Sequence, residues 1–565
     1  GTYFPKNSLP NRIGMLDLLP RLTEAWENNR HQLLQAAEQT SAAVESLRKP
    51  KQTTIPDPSV FDDFVGRLKD RYDGRHGGFS RAPKFPMPHQ LLSALQFARL
   101  KGDSELTGMA LQILRKMRRG GIYDQVGGGF HRYSTDREWL VPHFEKMLYD
   151  QALHILALTE AFVVTGDNEW RRTIEEVVAY VQRDLKGETA GFFAAEDADS
   201  EGEEGRFYVW TEQELRRVLN GDEFDWVAQS LGVEPGGNWR DEASGRATGS
   251  NVLHLSGSAE LPSPDAWDPI RKKLLEFRDH RPRPLRDEKI LTDWNGLMVA
   301  ALARAGRVLD RGEYVAAAVR TAEFFLTSMS DDHGGLYHRH CAGNTAISGN
   351  LNDYAFLIFG LLEIYRATFE VKWLTQAIRF QGILERDFAD PNGGYFLTAE
   401  AVTDTPTRMR EDTDGAIPSG NTVSAWNCMR LSGLTGNPDY ETTGRDAVRA
   451  LAPMLRAAPD GMAVGMLALR SLLHSGREIV VVGQRSAAET QEFLAAINRA
   501  YDPDTTVLLK PVDNAPTCSV LEKIAPFTAA LKAVDEQPTV YICQNRTCQQ
   551  PITDPEILHE KLALE

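Results

Sequence analysis

The sequence predicts a mainly α-helical protein built on an (α/α)6 six-hairpin toroid, with a small α/β domain at its C-terminal end. Helical apolar periodicity dominates from about residue 57 to 475. Glycine loops before an aromatic or leucine recur there, as "HGGFSRAP", "VGGGFHRY", "AGFFAAED", "HGGLYHRH" and "NGGYFLTA". Several stand about 50 to 65 residues apart, the length of two helices and a loop, so the repeat unit is a helical hairpin. The helices also fall into two sets. One is apolar all round ("LLSALQFARL", "GLMVAALARAG", "YAFLIFGLLEIY"), as helices buried on both sides must be, and the other is one-sided ("NEWRRTIEEVVAYVQRDL").

Taken in order, residues 14–49 read as a helix that ends before the proline-rich linker "PKQTTIPDP", which separates residues 1–50 from the toroid at 57–475. Inner helices are expected to start near Pro88, Pro142, Leu291, Asn350, Pro418 and Asp460, and outer ones near Asp57, Asp103, Asp167, Gly312, Val371 and Asn437. The gap between Asp167 and Leu291 holds two extra helical stretches, from Thr211 and from Pro264, read as an insertion. Residues 476–565 alternate "REIVVVGQ", "TTVLLK" and "PTVYICQ" with the helical "AAETQEFLAAINRAY", giving three strands and a helix. The single Gly483 there is no dinucleotide fingerprint, which needs three spaced glycines.

Charge and cysteine usage narrow the partners. The 565 residues carry 63 basic and 79 acidic side chains, a net charge of -16 with no basic cluster, which argues against a nucleic-acid partner. The longest apolar runs fall far short of the roughly 18 residues that span a bilayer, so no membrane partner is expected. Five cysteines in a chain this long are too few for an oxidised scaffold, and reduced thiols in a cytoplasmic protein are expected. Cys543 and Cys548 have loose zinc-like spacing but no second Cys/His pair close by, which favours a structural role. The opening "GTYFPKNSLP" has no starting Met and reads as the middle of a longer protein.

Parallel inner helices bring their N-termini to one mouth. Gathered there would be His89, His143, Glu145, Asp293, Asn295, Asn352, Asp353, Ser419 and Asn421, with Trp139, Trp294 and Trp426 near by. Helix N-termini favour hydroxyl-rich or anionic ligands, and amides with aromatic faces suit a sugar. Asp, Asn and Ser at these positions are also ordinary helix caps, whereas histidine is a poor one. The acidic stretch from Asp197 starts like a calcium loop, but its twelfth position is Tyr208 where a bidentate Glu belongs. It reads instead as an acidic lid, with Glu196 and Asp197 facing the pocket. No metal and no cofactor are expected.

Two mechanisms and one non-catalytic role fit such a mouth. A sugar epimerase or aldose–ketose isomerase needs acid–base groups beside the carbon α to a carbonyl, for which His143 is the first choice, with His89 or a carboxylate opposite. A glycoside hydrolase needs a carboxyl pair, available among Asp293, Asp353, Glu145 and Asp197. The third reading is a binding or scaffold module. His143, Glu145, Asp293 and Asp353 are thus the candidate catalytic groups. The candidate sugar contacts are His89, Asp197, Trp294, Asn295, Asn352 and Asn421.

"GGFSRAPKFPMP", "GGGFHRYSTDREWLVPHFEKMLYDQA", "AAEDADSEGEEGRFYVWT" and "LTDWNGLMVAALA" resemble the thioredoxin-domain-containing family of spermatogenesis-associated and bacterial YyaL-type proteins, over essentially the whole chain. The resemblance implies an N-terminal thioredoxin-like domain joined to a six-hairpin toroid like that of N-acylglucosamine 2-epimerases and glycosidases. It makes residues 1–50 the end of that thioredoxin-like domain. No Cys-x-x-Cys occurs in this chain, so a redox role does not carry over.

Overall fold

The computed structural model describes residues 4–47, 53–240, 248–256, 261–403, 407–474, 476–500, 503–544 and 547–563. Pro50, Lys51 and Gln52 of the expected linker lie outside them. The chain forms two compact units, Gly1–Thr53 with Glu400–Met409, and Thr54–Ala399 with Arg410–Glu565. In the first, Leu9 bridges Arg12 and a helix runs Met15–Leu47, broken at Asn29. A thioredoxin-like origin for this segment rests on the resemblance alone.

The second unit holds the toroid. Its inner helices are Pro88–Lys101, Leu148–Thr165, Thr292–Leu309, Leu351–Thr368, Gly420–Thr435 and Ala463–Leu473. The outer ones are Ser59–Arg71, Ser104–Arg119, Asn168–Tyr180, Gly312–Ser328, Val371–Ile383 and Pro438–Ala457. Each inner helix packs on the next and the sixth packs on the first, so the ring closes. They run in one direction. Asp353 accepts the backbone N–H of Asp293 where the third and fourth begin, and Arg304 pairs with Glu363 near their other ends. Glycine lets these two backbones touch, since a Cβ on Gly296 would lie 2.7 Å from the Leu357 nitrogen.

The recurring glycines have one structural cause. Asp73, Asp124, Asp331 and Asp390 each close a tight loop by donating their backbone N–H to the carbonyl of Gly78, Gly129, Gly335 and Gly394. Gly129 has φ +82°, and a Cβ there would stand 2.6 Å from the Tyr180 ring, so no other residue fits without strain. The aromatic that follows is gripped by an amide from the next inner helix. Gln151 accepts from and donates to the backbone of Phe130, Asn295 that of Phe192, and Asn421 that of Tyr395.

Several boundaries differ from the sequence reading. The second inner helix starts at Leu148, not near Pro142, because Pro142–His143 pairs as a short strand with Tyr133–Ser134, and Lys146–Met147 pairs with Ala195–Glu196. Asp460 sits in a 3-10 turn ahead of the sixth inner helix. The insertion holds a further helix, Gly221–Ser230, besides Glu212–Val218 and Pro264–Arg278; its capping box, Asn220 with Glu223, was legible but unread.

At the C-terminal end a four-stranded sheet runs in the order Thr506–Pro511, Arg477–Gly483, Thr539–Gln544, Thr547–Cys548, its first pair parallel and the others antiparallel. Its faces alternate with period two. Ile479 and Val481 pack with Phe493 and Leu558 of its own helices, while Val480 and Val482 join the toroid core. Cys543 and Cys548 are cross-strand partners joined by a disulfide, which corrects the expectation of five reduced thiols; Cys341, Cys428 and Cys518 are free. Among the described residues no helix is long and apolar enough to cross a membrane.

Candidate active site

Two polar clusters meet at the N-terminal end of the inner helices. In the first, Asp353 stands at the start of the fourth inner helix and is fully buried. One of its oxygens accepts the backbone N–H of Asn350, the ordinary capping role, while the other accepts that of Asp293 at 3.0 Å. His338 completes the group, its Nδ1 lying 2.9 Å from Asp353 Oδ1. The hydrogen bond to Asp353 raises the His338 pKa to about 9. Burial, and then the neighbouring Asp353 charge, push the Asp293 carboxyl up to about 7. Donor atoms of the three side chains lie within 4.8 Å of one another. That spacing would admit a divalent cation, but the imidazolium already answers the Asp353 charge, and the group reads as a proton-transfer centre.

The second cluster surrounds His143. Its Nδ1 meets Glu204 Oε1 at 2.7 Å, its Nε2 lies 3.6 Å from Glu145, and Tyr133 stacks on its ring. Glu145 and Glu204 raise the imidazole pKa against the opposing effect of burial. Glu145, its own pKa lowered by His143 and Arg132, pairs with Arg132 at 2.8 Å. Glu204 belongs to the hairpin Asp199–Ser200 with Glu203–Glu204, so the acidic stretch does reach the mouth, though through a different residue from the one expected. Asp197 is exposed and accepts the N–H of Asp199.

The clusters are joined by aromatic contact. The Tyr149 ring, beside Arg132, meets Trp294 edge-on at 4.8 Å, and the Trp294 backbone N–H donates to Asp293 Oδ1. Asn352, one residue before Asp353, keeps its Oδ1 without a partner among the described residues.

Other expected residues are placed elsewhere. Asn295 and Asn421 are fully buried and hold the aromatic turns, so neither faces a ligand. Ser419 is a plain cap for the fifth inner helix. His89 is sealed in the core, its ring nitrogens unpartnered among the described residues and its pKa lowered to about 4 by burial. Trp139 is buried beneath Lys84, and Trp426 lies along the wall of a cavity at the far end of the toroid. Sequence reasoning missed His338, which lies on the strand Tyr337–Cys341 and not at a helix start. It also missed Asp150, a buried carboxyl in the first turn of the second inner helix, raised in pKa by burial. Placing that helix start at Pro142 hid it.

No protein-family model matches the sequence. Rat spermatogenesis-associated protein 20 is 35% identical over 610 residues, covering 99% of this chain and 77% of the relative. The chain belongs to the spermatogenesis-associated protein 20 family. The human member is likewise 35% identical, over 98% of this chain and 76% of its own. Among solved structures, a D-mannose isomerase is similar over 74% of this chain and 99% of its own, with 11% identity and a TM-score of 0.48.

Proposed function

We propose that the mouth carries out acid–base chemistry on a small hydroxylated carbonyl compound, as a sugar epimerase or aldose–ketose isomerase does. The observation that carries the reading is the Asp293, Asp353 and His338 group. A buried carboxyl with a pKa near 7 is poised to take and return a proton at neutral pH. Beside it, His338 is cationic and fixed through Nδ1, so its other nitrogen is available to polarise a carbonyl oxygen. In this reading Asp293 removes the proton from the carbon α to the carbonyl while His338 stabilises the enediolate oxygen. His143, also held through Nδ1 by a carboxylate, returns a proton on the other side. Trp294 and Tyr149 supply aromatic surface.

The glycoside hydrolase reading is weakened by the same geometry. Asp353 is closed off by two backbone N–H groups and an imidazole, and Asp293 touches it. A glycosidase pair stands about 5 to 9.5 Å apart with the scissile bond between. A binding module without turnover remains the contrasting outcome.

The test is incubation in D2O with unlabelled mannose, glucose, fructose and N-acetylmannosamine, followed by proton NMR. Loss of the C2 proton signal with the wild type, reduced about 10²–10⁴-fold in Asp293→Asn and His338→Ala, is the expected result. Release of a reducing end from disaccharides without C2 exchange would favour the hydrolase, and neither activity the binding module.

A further inference from the structure

The rim of the mouth carries a row of three rings, of which the proposed chemistry uses only the innermost. Lys84 bridges Ser134 in antiparallel register, and the strand Tyr133–Ser134 pairs in turn with Pro142–His143, setting Tyr133 opposite His143. The same register sets Phe85 opposite Tyr133. Side chains directly across neighbouring antiparallel strands stand on one face, so Phe85, Tyr133 and His143 form a ladder. Its ring centroids lie 4.9 Å apart from Phe85 to Tyr133 and 5.0 Å from Tyr133 to His143, close to the spacing of the strands beneath them.

The two ends of the ladder differ. His143, at the inner end, is held by Glu204 and Glu145. Phe85, at the outer end, is 43% exposed, and no other aromatic side chain is exposed to that degree among the described residues of the second unit. The backbone on either side keeps the ring outside. Lys84 points the opposite way, as the preceding residue of a strand does, and is sealed in the core with its ammonium 3.2 Å from Asp73. Pro88 opens the first inner helix three residues after Phe85. Single exposed apolar residues are ordinary on a protein surface. This one continues a row of rings that ends on a group of the candidate site.

We propose that Phe85 is the outer sugar platform of the mouth, and that the substrate is a disaccharide or longer saccharide with its reducing-end ring beside His143 and its next ring against Phe85. The proposal rests on the reading of the mouth as a sugar site. Two strand spacings, roughly 10 Å, separate Phe85 from His143. That is farther than one pyranose reaches from a carbon held at His143, and within reach of a second ring linked to it. An exposed aromatic face covers the C–H side of a sugar while the hydroxyls stay in water, so the contact buries apolar surface without stranding polar groups.

The full chain is given glucose, mannose, cellobiose, maltose and lactose, with binding read by saturation-transfer NMR and C2 exchange by proton NMR in D2O. At least one disaccharide should bind about tenfold more tightly than either monosaccharide, the gain expected from covering one ring face. Saturation should reach the C–H protons of its non-reducing ring. Phe85→Ala and Phe85→Leu should both lose this advantage, the second keeping apolar cover over Tyr133 without a flat face, and Phe85→Trp should retain it. Circular dichroism and unfolding midpoints establish which variants are folded. Equal binding of monosaccharides and disaccharides, or an advantage that survives in a folded Phe85→Ala or Phe85→Leu protein, would overturn the assignment. C2 exchange on monosaccharides with no disaccharide advantage would sink the platform alone. A Phe85-dependent advantage without C2 exchange on any sugar would support the platform and sink the isomerase chemistry, and binding of no sugar would sink both.

Discussion

Asp124 and Asp293 are both buried aspartates near the same end of the toroid, yet their surroundings drive them in opposite directions. Asp124 is enclosed by Lys146 at 2.8 Å and Arg278 at 2.9 Å, with the Lys146 ammonium also lying over the rings of Tyr180 and Tyr208. Arg278 and Lys146 outweigh burial and hold the Asp124 carboxyl well below the ordinary range. Asp293 has no lysine or arginine beside it among the described contacts; its neighbours are the Asp353 carboxylate and the His338 ring, and burial with the Asp353 charge outweighs the histidine, so its carboxyl is raised. Identical side chains therefore serve different ends. A buried charge answered by cations and hydrogen bonds fixes the architecture, here tying the inserted helix Pro264–Arg278 to the glycine loop at 124–129, while a buried charge left half-answered is available for chemistry.

The largest expected difference is in stability. Lys146→Met removes one partner of a buried ion pair and should cost about 3–5 kcal/mol in urea unfolding at pH 7. Asp293→Asn removes an ionisable group whose charge the fold disfavours, and should leave stability within about 1 kcal/mol of the wild type or raise it. Equal losses in the two variants would break the contrast.

The pH dependence sharpens it. The folded-state pKa of Asp293, about 7, lies above its ordinary 3.8, so the native state holds the proton more tightly and stability falls as pH rises across that window, by at most about 1.4 kcal/mol per unit. His338, at about 9 against an ordinary 6.5, contributes stability present below 6.5 and lost as pH rises through 9. Asp124, with its pKa depressed, contributes stability present above 3.8 and lost only in acid. Unfolding midpoints of Asp293→Asn measured from pH 4 to 8 should show a shallower decline than the wild type.

A smaller effect separates scaffold amides from mouth amides. Asn421→Ala leaves both the N–H and the carbonyl of Tyr395 without their partner and should cost about 1–3 kcal/mol. Asn352→Ala, which removes a buried oxygen without a partner among the described residues, should cost less in the same measurement. Smallest of all, Glu204→Gln should lower the His143 titration midpoint in NMR by less than about one unit, because Glu145 remains beside the ring.

How much of this was legible follows the same division. The six hairpins were readable because apolar periodicity and the glycine turns are local signals, and Asp103, Asp167, Asn350 and Asn437 mark their helix starts as caps do. The aspartates that close the glycine loops were present in the sequence but unweighted, since a backbone hydrogen bond leaves no compositional mark. Within the mouth, Asp293 and Asp353 were found because they sit at helix starts. His338 was not, because a histidine on a short strand gains its role only when that strand pairs beside the third inner helix, through Leu291 with Arg339. Asn295 and Asn421 were misread as ligand contacts, because an amide at a helix start looks the same whether it faces a pocket or a neighbouring turn.

The account stands most directly on the ionisation of Asp293. With aspartates labelled at Cγ with carbon-13, the resonance absent from the Asp293→Asn spectrum is followed in the wild type between pH 3 and 9. A midpoint near 7, in a protein whose Asp124 resonance does not move above pH 4, is the predicted result. A midpoint at or below 4 for Asp293 would contradict it, leaving Asp293 and Asp353 as helix-start groups with no proton to exchange at neutral pH.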